Sequence, residues 1–142
     1  MPKKILMPID LNAPTSWIKP MAEAQNLLAQ GGGELHVVSV LPDFGMSMVG
    51  AFFQSGFEQS ALKAFGEALR NWVRDNVPNA IEVHPHVLHG NIYDEILRAA
   101  DKLDVDLIIM GAHRPEAKDY LLGPNAARVV RHARQSVYVV RD

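Results

Sequence analysis

The chain has no cysteine. That excludes disulfides, thiolate metal centres and cysteine nucleophiles, and it leaves the compartment open. It has no apolar run near the ~20 residues needed to cross a bilayer. The start, MPKKILMPID, carries lysines, but Pro8 and Asp10 interrupt its apolar stretch, so it does not read as a signal peptide. A cytoplasmic protein that is not embedded in a membrane is the expectation. Excess positive charge is missing as well: 14 basic against 16 acidic residues give a formal net charge of -2, and no basic field points to nucleic acid. The phosphate loop G-x-x-x-x-G-K-[ST], the dinucleotide fingerprint G-x-G-x-x-G and the nucleophile elbow G-x-S-x-G are absent. No serine stands at a strand end beside an evident His and Asp, so no catalytic residue is assigned. Repeats, low-complexity stretches and linkers are lacking too, which predicts one domain over residues 1–142.

What is present is alternation. Short β-branched or aliphatic runs are KILMPI (4–9), ELHVVSV (34–40), IEVHPHVL (81–88), DLIIM (106–110) and SVYVV (136–140). Between them lie segments of helical period. The first runs from Met21 to Gln30, with Pro20 in its first turn and three glycines as a stop. The second runs from Glu58 to Val77, the third from Asn91 to Leu103 and the fourth from Asn125 to Ala133. A β-α alternation of this kind gives a parallel sheet with helices on both faces. Pro85 lacks the N–H that a central strand must donate, so the third strand belongs at an edge. The first and fourth strands then meet at the centre.

Open α/β sheets bind ligands at the carboxyl ends of strands where the winding reverses. Here that point lies between Asp10 and Gly111. Asp10 fits two readings: an acceptor for a ribose or an adenine amine, or an Asx-turn that fixes its own loop. Gly111 and Gly123 flank a polar loop with His113, Arg114, Lys118 and Asp119, and a helix follows. Gly123 fits a phosphate cradle at a helix N-terminus, and equally a plain turn glycine before Pro124 at the first helical position.

Other groups read as bland. His84, His86 and His89 form H-x-H-x-x-H; His84 and His86 share a strand face, but His89 falls on the other face and no nearby carboxylate completes a set, so a solvated edge strand is expected. Arg128, Arg131 and Arg134 read as one solvated face of the last helix. The stretch 41–57 reads as a long loop carrying Phe44, Met46, Met48, Phe52, Phe53 and Phe57, either a lid or partner surface, or a loop folded on itself.

Along nearly its whole length the chain resembles the universal stress protein family. The residues that carry the resemblance are KKILMPIDL, HVVSVLP, HGNIYDEIL, DLIIMGAHRP and LLGPNAARVVRHARQSVYVVR. The resemblance implies a Rossmann-like α/β fold with a five-stranded parallel sheet in the order 3-2-1-4-5. It also implies a homodimer through the last strand, Ser136–Arg141. Some members bind ATP with the pattern G-2x-G-9x-G-[ST]. Carried over, Pro8, Ile9 and Asp10 match the end of strand one, Val40 the adenine side, Met110 and Gly111 the first glycine and its neighbour, and Gly123 the last glycine.

Two positions depart. Arg114 replaces the second glycine, with eight residues (115–122) before Gly123, and Pro124 replaces the Ser or Thr. The loop Gly111-Ala112-His113-Arg114-Pro115 resembles that of a subgroup of small stress proteins for which nucleotide binding is expected. Pro124 removes a hydroxyl and an N–H, each worth ~1.5–3 kcal/mol to a charged phosphate. Together they weaken binding by roughly a hundredfold or more. The guanidinium of Arg114 can bind phosphate bidentately, and His113 and Asn125 add donors.

The expectation is therefore an ATP-binding regulatory stress protein, with a divalent ion such as Mg2+ at the phosphates and at most slow hydrolysis. The alternative is a dimeric adaptor that binds no nucleotide and works on a protein client.

Overall fold

The computed structural model of the protein describes residues 3–42, 55–112 and 124–141. Its strands are β1 Lys3–Pro8, β2 Gly33–Pro42, β3 Glu82–Gly90, β4 Leu107–Ala112 and β5 Ser136–Arg141. Its α-helices are α1 Ile18–Ala29, α2 Ser55–Asn76, α3 Ile92–Leu103 and α4 Pro124–His132. A 3-10 turn, Pro14–Ser16, leads into α1. Every ladder is parallel and the order is β3-β2-β1-β4-β5. Pro85 therefore lies on an edge strand, opposite Val37 of β2.

Local chemistry sets the element ends. Pro20 is the third residue of α1, where a missing N–H costs no helical bond. Asn91 caps α3, its side chain accepting from the Asp94 N–H at 3.4 Å, and Asp94 and Glu95 face the positive end of the helix. Gly33 opens β2 with φ of 140°, and any Cβ there would strike the backbone carbonyl of Lys3. Glycine is what lets β2 come alongside β1 at that point.

The sheet buries both faces. Ile5, Met7, Leu35, Val37 and Ile109 pack under α1 and α2 against Met21, Ala24, Leu28, Leu69 and Trp72. Leu6, Val38, Ile108 and Met110 pack under α3 and α4 against Ile96, Ala99, Ala100, Ala126 and Val129. Burial on both sides explains why the run LIIM shows no alternation. No helix among the described residues is long and apolar enough to cross a membrane.

Two expectations need correction. The stretch 41–57 is not all loop: Leu41 and Pro42 complete β2, and Ser55 to Phe57 already belong to α2. Residues 43–54 lie outside the described residues. Arg128, Arg131 and Arg134 are all exposed, as expected, but they do not all belong to one helix. α4 ends at His132, so Arg134 lies beyond it and pairs with Asp101 through Nη2 at 3.2 Å. Arg128 sits 4.9 Å over the Tyr93 ring. The reason is that α3 lies beside α4 and offers both partners. Asp101 also accepts from Gln135 at 2.9 Å, and these bonds hold its carboxyl below the usual carboxylate range.

Candidate functional site

The backbone of β1 alternates its bonding. The Lys4 carbonyl accepts from the Asp106 N–H at 2.8 Å, and the Lys4 N–H donates to Asp106 Oδ2 at 2.9 Å, so even residues turn to β4. The N–H groups of Lys3 and Ile9 reach Gly32 and Val38 carbonyls at 3.3 and 2.9 Å, so odd residues turn to β2. Pro8 is even. Its missing N–H is therefore one that β4 would have received. Pairing with β2 runs from Lys3 to Pro8, whereas pairing with β4 covers only Ile5–Leu107 and Leu6–Ile108. The central pair stops at Leu6, and the two strands are unjoined at their carboxyl ends. This is also where the winding reverses, the position at which open α/β sheets bind ligands.

Asp10 stands at that mouth, half-buried. Its Oδ1 accepts from the Asn12 N–H at 2.9 Å, which makes the Asx-turn. Its N–H donates to Ser16 Oγ at 2.9 Å, and its carbonyl accepts from that hydroxyl at 3.1 Å. Among the described residues, Oδ2 has no hydrogen-bond partner. The turn thus holds the carboxylate by one oxygen and leaves the other for chemistry.

Ile9 and Met110 are core side chains, 2% and 0% exposed, so they bring only backbone to the mouth. The Ile9 carbonyl is already taken by Ser39 Oγ at 2.9 Å. Val40 is half-buried at the end of β2, level with Leu88, and Gly111 is buried level with Val140. Pro124 and Asn125 open α4, whose first turn holds no acidic residue. An anion there would meet the positive helix end unopposed. The structure thus brings Pro8, Ile9, Asp10, Met110 and Gly111 to one end of the central strands, with Val40 on the neighbouring strand. His113, Arg114 and Gly123 lie outside the described residues.

A second cluster lies at the amino ends of β2 and β3, and here the expectation of a merely solvated edge is corrected. The register sets Glu34 opposite Glu82 and His36 opposite His84. His36, 6% exposed, stacks on His84 and His86 with ring centroids 4.9 and 5.2 Å away. Its Nε2 lies 2.8 Å from Glu34 Oε1 and its Nδ1 lies 2.9 Å from His86 Nε2. His84 Nε2 lies 2.8 Å from Glu82 Oε2. The bond from His36 holds the Glu34 carboxyl below its usual range. Burial holds the His86 imidazole below its ordinary value, and the neighbouring His36 and His84 push it the same way. The signal was two matching strand patterns, E-x-H at 34–36 and E-x-H-x-H at 82–86. They become one cluster only when the β2–β3 register is known.

Comparison with known proteins gives a consistent result. The model of the Universal stress protein family matches residues 1–141. The chain is 32% identical over 143 residues to universal stress protein G of Shigella flexneri, covering 99% of this chain and 100% of that protein. Among solved structures, the hypothetical protein MJ0577 matches with a TM-score of 0.77 and 24% identity, over 100% of this chain and 97% of that one. A universal stress protein crystallised in complex with cAMP matches with a TM-score of 0.66 and 18% identity, over 98% and 96%. At these identities the two structures speak for a shared fold.

Proposed function

The chain belongs to the universal stress protein family, and from that premise we propose that it binds an adenine nucleotide, ATP, in the crevice between β1 and β4. The observation that carries this reading is the stop of the β1–β4 ladder at Leu6–Ile108, with Asp10 and Gly111 at the opening. A universal stress protein of the same fold holds cAMP, which supports the adenine class of ligand. Asp10 Oδ2 would accept from the adenosine end, and Val40 would give an apolar wall. A phosphate would lie beside the Gly111 backbone, with the N–H groups of the first α4 turn and Asn125 as its donors. Arg114, His113 and Gly123 complete the phosphate side by their place in the sequence, and Arg114 supplies donors that Pro124 lacks. A divalent ion such as Mg2+ would offset phosphate charge at this end of the crevice.

The nucleotide would serve as a regulatory signal in a stress response, since no positioned nucleophile or base accompanies it among the described residues. Homodimerisation belongs to the same reading. Among the described residues β5 has a strand neighbour only on the β4 side, and its Val137, Val139 and Val140 are half-buried with Tyr138 38% exposed. Such edges need covering.

The test is to denature freshly purified protein and assay the supernatant for adenine nucleotide, then titrate stripped protein with Mg-ATP by calorimetry. Released nucleotide or a saturable heat supports the reading. If no nucleotide is released and no heat is seen, the reading falls and the adaptor that binds no nucleotide remains.

A further inference from the structure

The strip at the amino ends of β2 and β3 lies at the opposite end of the sheet from the crevice. We propose that Glu34, Glu82 and His84 form a binding site for a divalent transition-metal ion of borderline character, Zn2+ being the type. One carboxylate oxygen from each glutamate and one ring nitrogen of His84 lie within 4.8 Å of one another. In a tetrahedral zinc site, bonds of about 2.0–2.2 Å set ligand atoms about 3.3 Å apart. The contraction needed falls on flexible groups: the side chains of Glu82 and His84 are 60% and 44% exposed.

The frame behind them is fixed. Glu34 and Glu82 are direct partners in the β2–β3 ladder, where like charges opposite each other are unfavourable. A cation between them turns that repulsion into attraction. Lys4, the β1 partner of Glu34, lowers the local charge, but its Nζ is directed to the Leu103 carbonyl at 3.5 Å. It does not stand between the two carboxylates as a permanent counter-ion.

The surroundings also suit a metal. Ligating groups are held by a hydrogen-bonded partner behind them. Here His36, nearly buried, holds Glu34 from behind at 2.8 Å. With His36 Nε2 donating to Glu34, its Nδ1 is free to accept from His86 Nε2–H, and both rings are satisfied as neutral groups. Two carboxylates and an imidazole, with no sulfur, suit Zn2+, Co2+ or Ni2+ better than soft ions or Ca2+. To ligate through Nε2, the neutral His84 ring would carry its proton on Nδ1, and water would fill the fourth position on the solvent side. The site is separate from the nucleotide crevice, so it stands whether or not ATP binds.

The test uses the full chain, stripped with a chelator and titrated with ZnCl2 by calorimetry and against a zinc-binding dye. One ion per chain at micromolar Kd or tighter is expected. Glu82→Gln and His84→Ala should each weaken binding about tenfold or more. Both side chains are largely exposed, so each variant should keep the wild-type circular dichroism in chelator. His132→Ala, an exposed histidine on α4, should leave affinity unchanged. At the same Zn2+ concentration Tm should rise more in the wild type than in either variant. No binding at micromolar metal, or binding that neither variant weakens, overturns the proposal.

Discussion

Asp10 carries two duties on two oxygens, and they can be separated. Asparagine keeps the Oδ1 acceptor that bonds Asn12, so the turn survives, but it removes the charge. Asp10→Asn should weaken Mg-ATP about tenfold or more, the value of one charge-assisted bond, while stability moves by less than ~0.5 kcal/mol. Calorimetry beside a urea melt checks both halves, and unchanged affinity would remove Asp10 from the site. His86 makes a second prediction. Its folded value lies below the ordinary 6.5, so the unfolded chain takes up a proton first as pH falls. Stability is therefore full above about pH 6.5 and declines as pH drops from there toward the lower folded value. His36, His84, Glu34, Glu82 and Lys4 share the strip. The Glu34 contribution is lost only lower, as pH falls below its ordinary 4.5. Urea midpoints at pH 7.5 and 5.5 should differ, and His86→Gln should reduce the difference; equal slopes in both proteins would refute the assignment.

Elements were readable where one residue's covalent chemistry dictates them, and unreadable where a neighbour decides. Pro85 marks an edge strand because no partner waits for its N–H. The same rule applied to Pro8 would bar β1 from the centre, yet β1 is central. Only the direction of each N–H, known once β4 is in place, shows that Pro8 ends one ladder and keeps the other. The histidines teach the same point: Glu34 and Glu82 are 48 positions apart (82 minus 34) and meet only through the register. Arg134 was misplaced because the helical period continues past His132 while the helix does not. Gly33 is a case that geometry settles. Gly33→Ala forces a side chain onto the Lys3 carbonyl at positive φ, and should cost at least about 2 kcal/mol in a urea melt. Asn91→Ala, which removes only the cap on α3, should cost about 1 kcal/mol.

For the molecule as a whole, alternation of period was enough to give the parallel sheet, and the order followed from one proline and the family resemblance. The candidate site was half visible, because its strand ends are fixed by the sheet while His113, Arg114 and Gly123 belong to a stretch with no period of its own. The proposed dimer belongs to the scale of the whole molecule. Light scattering at micromolar concentration should give two copies, and Tyr138→Glu should shift the mass toward one, since it sets like charges across the β5 edge and abolishes the 2.6 Å bond to Glu23. A monomeric wild type would end that part of the reading. The bonds between Lys4 and Asp106 have a consequence for how the chain is made. They join residues 102 positions apart, and they seat the first strand in the middle of the sheet. At about 5–20 residues per second, a ribosome needs roughly 5–20 s to go from one to the other. Through that interval the earliest strand can pair with β2 but has an empty flank toward β4. The finished sheet must therefore close late, after most of the chain has left the exit tunnel, and the nascent protein carries an exposed strand edge until it does.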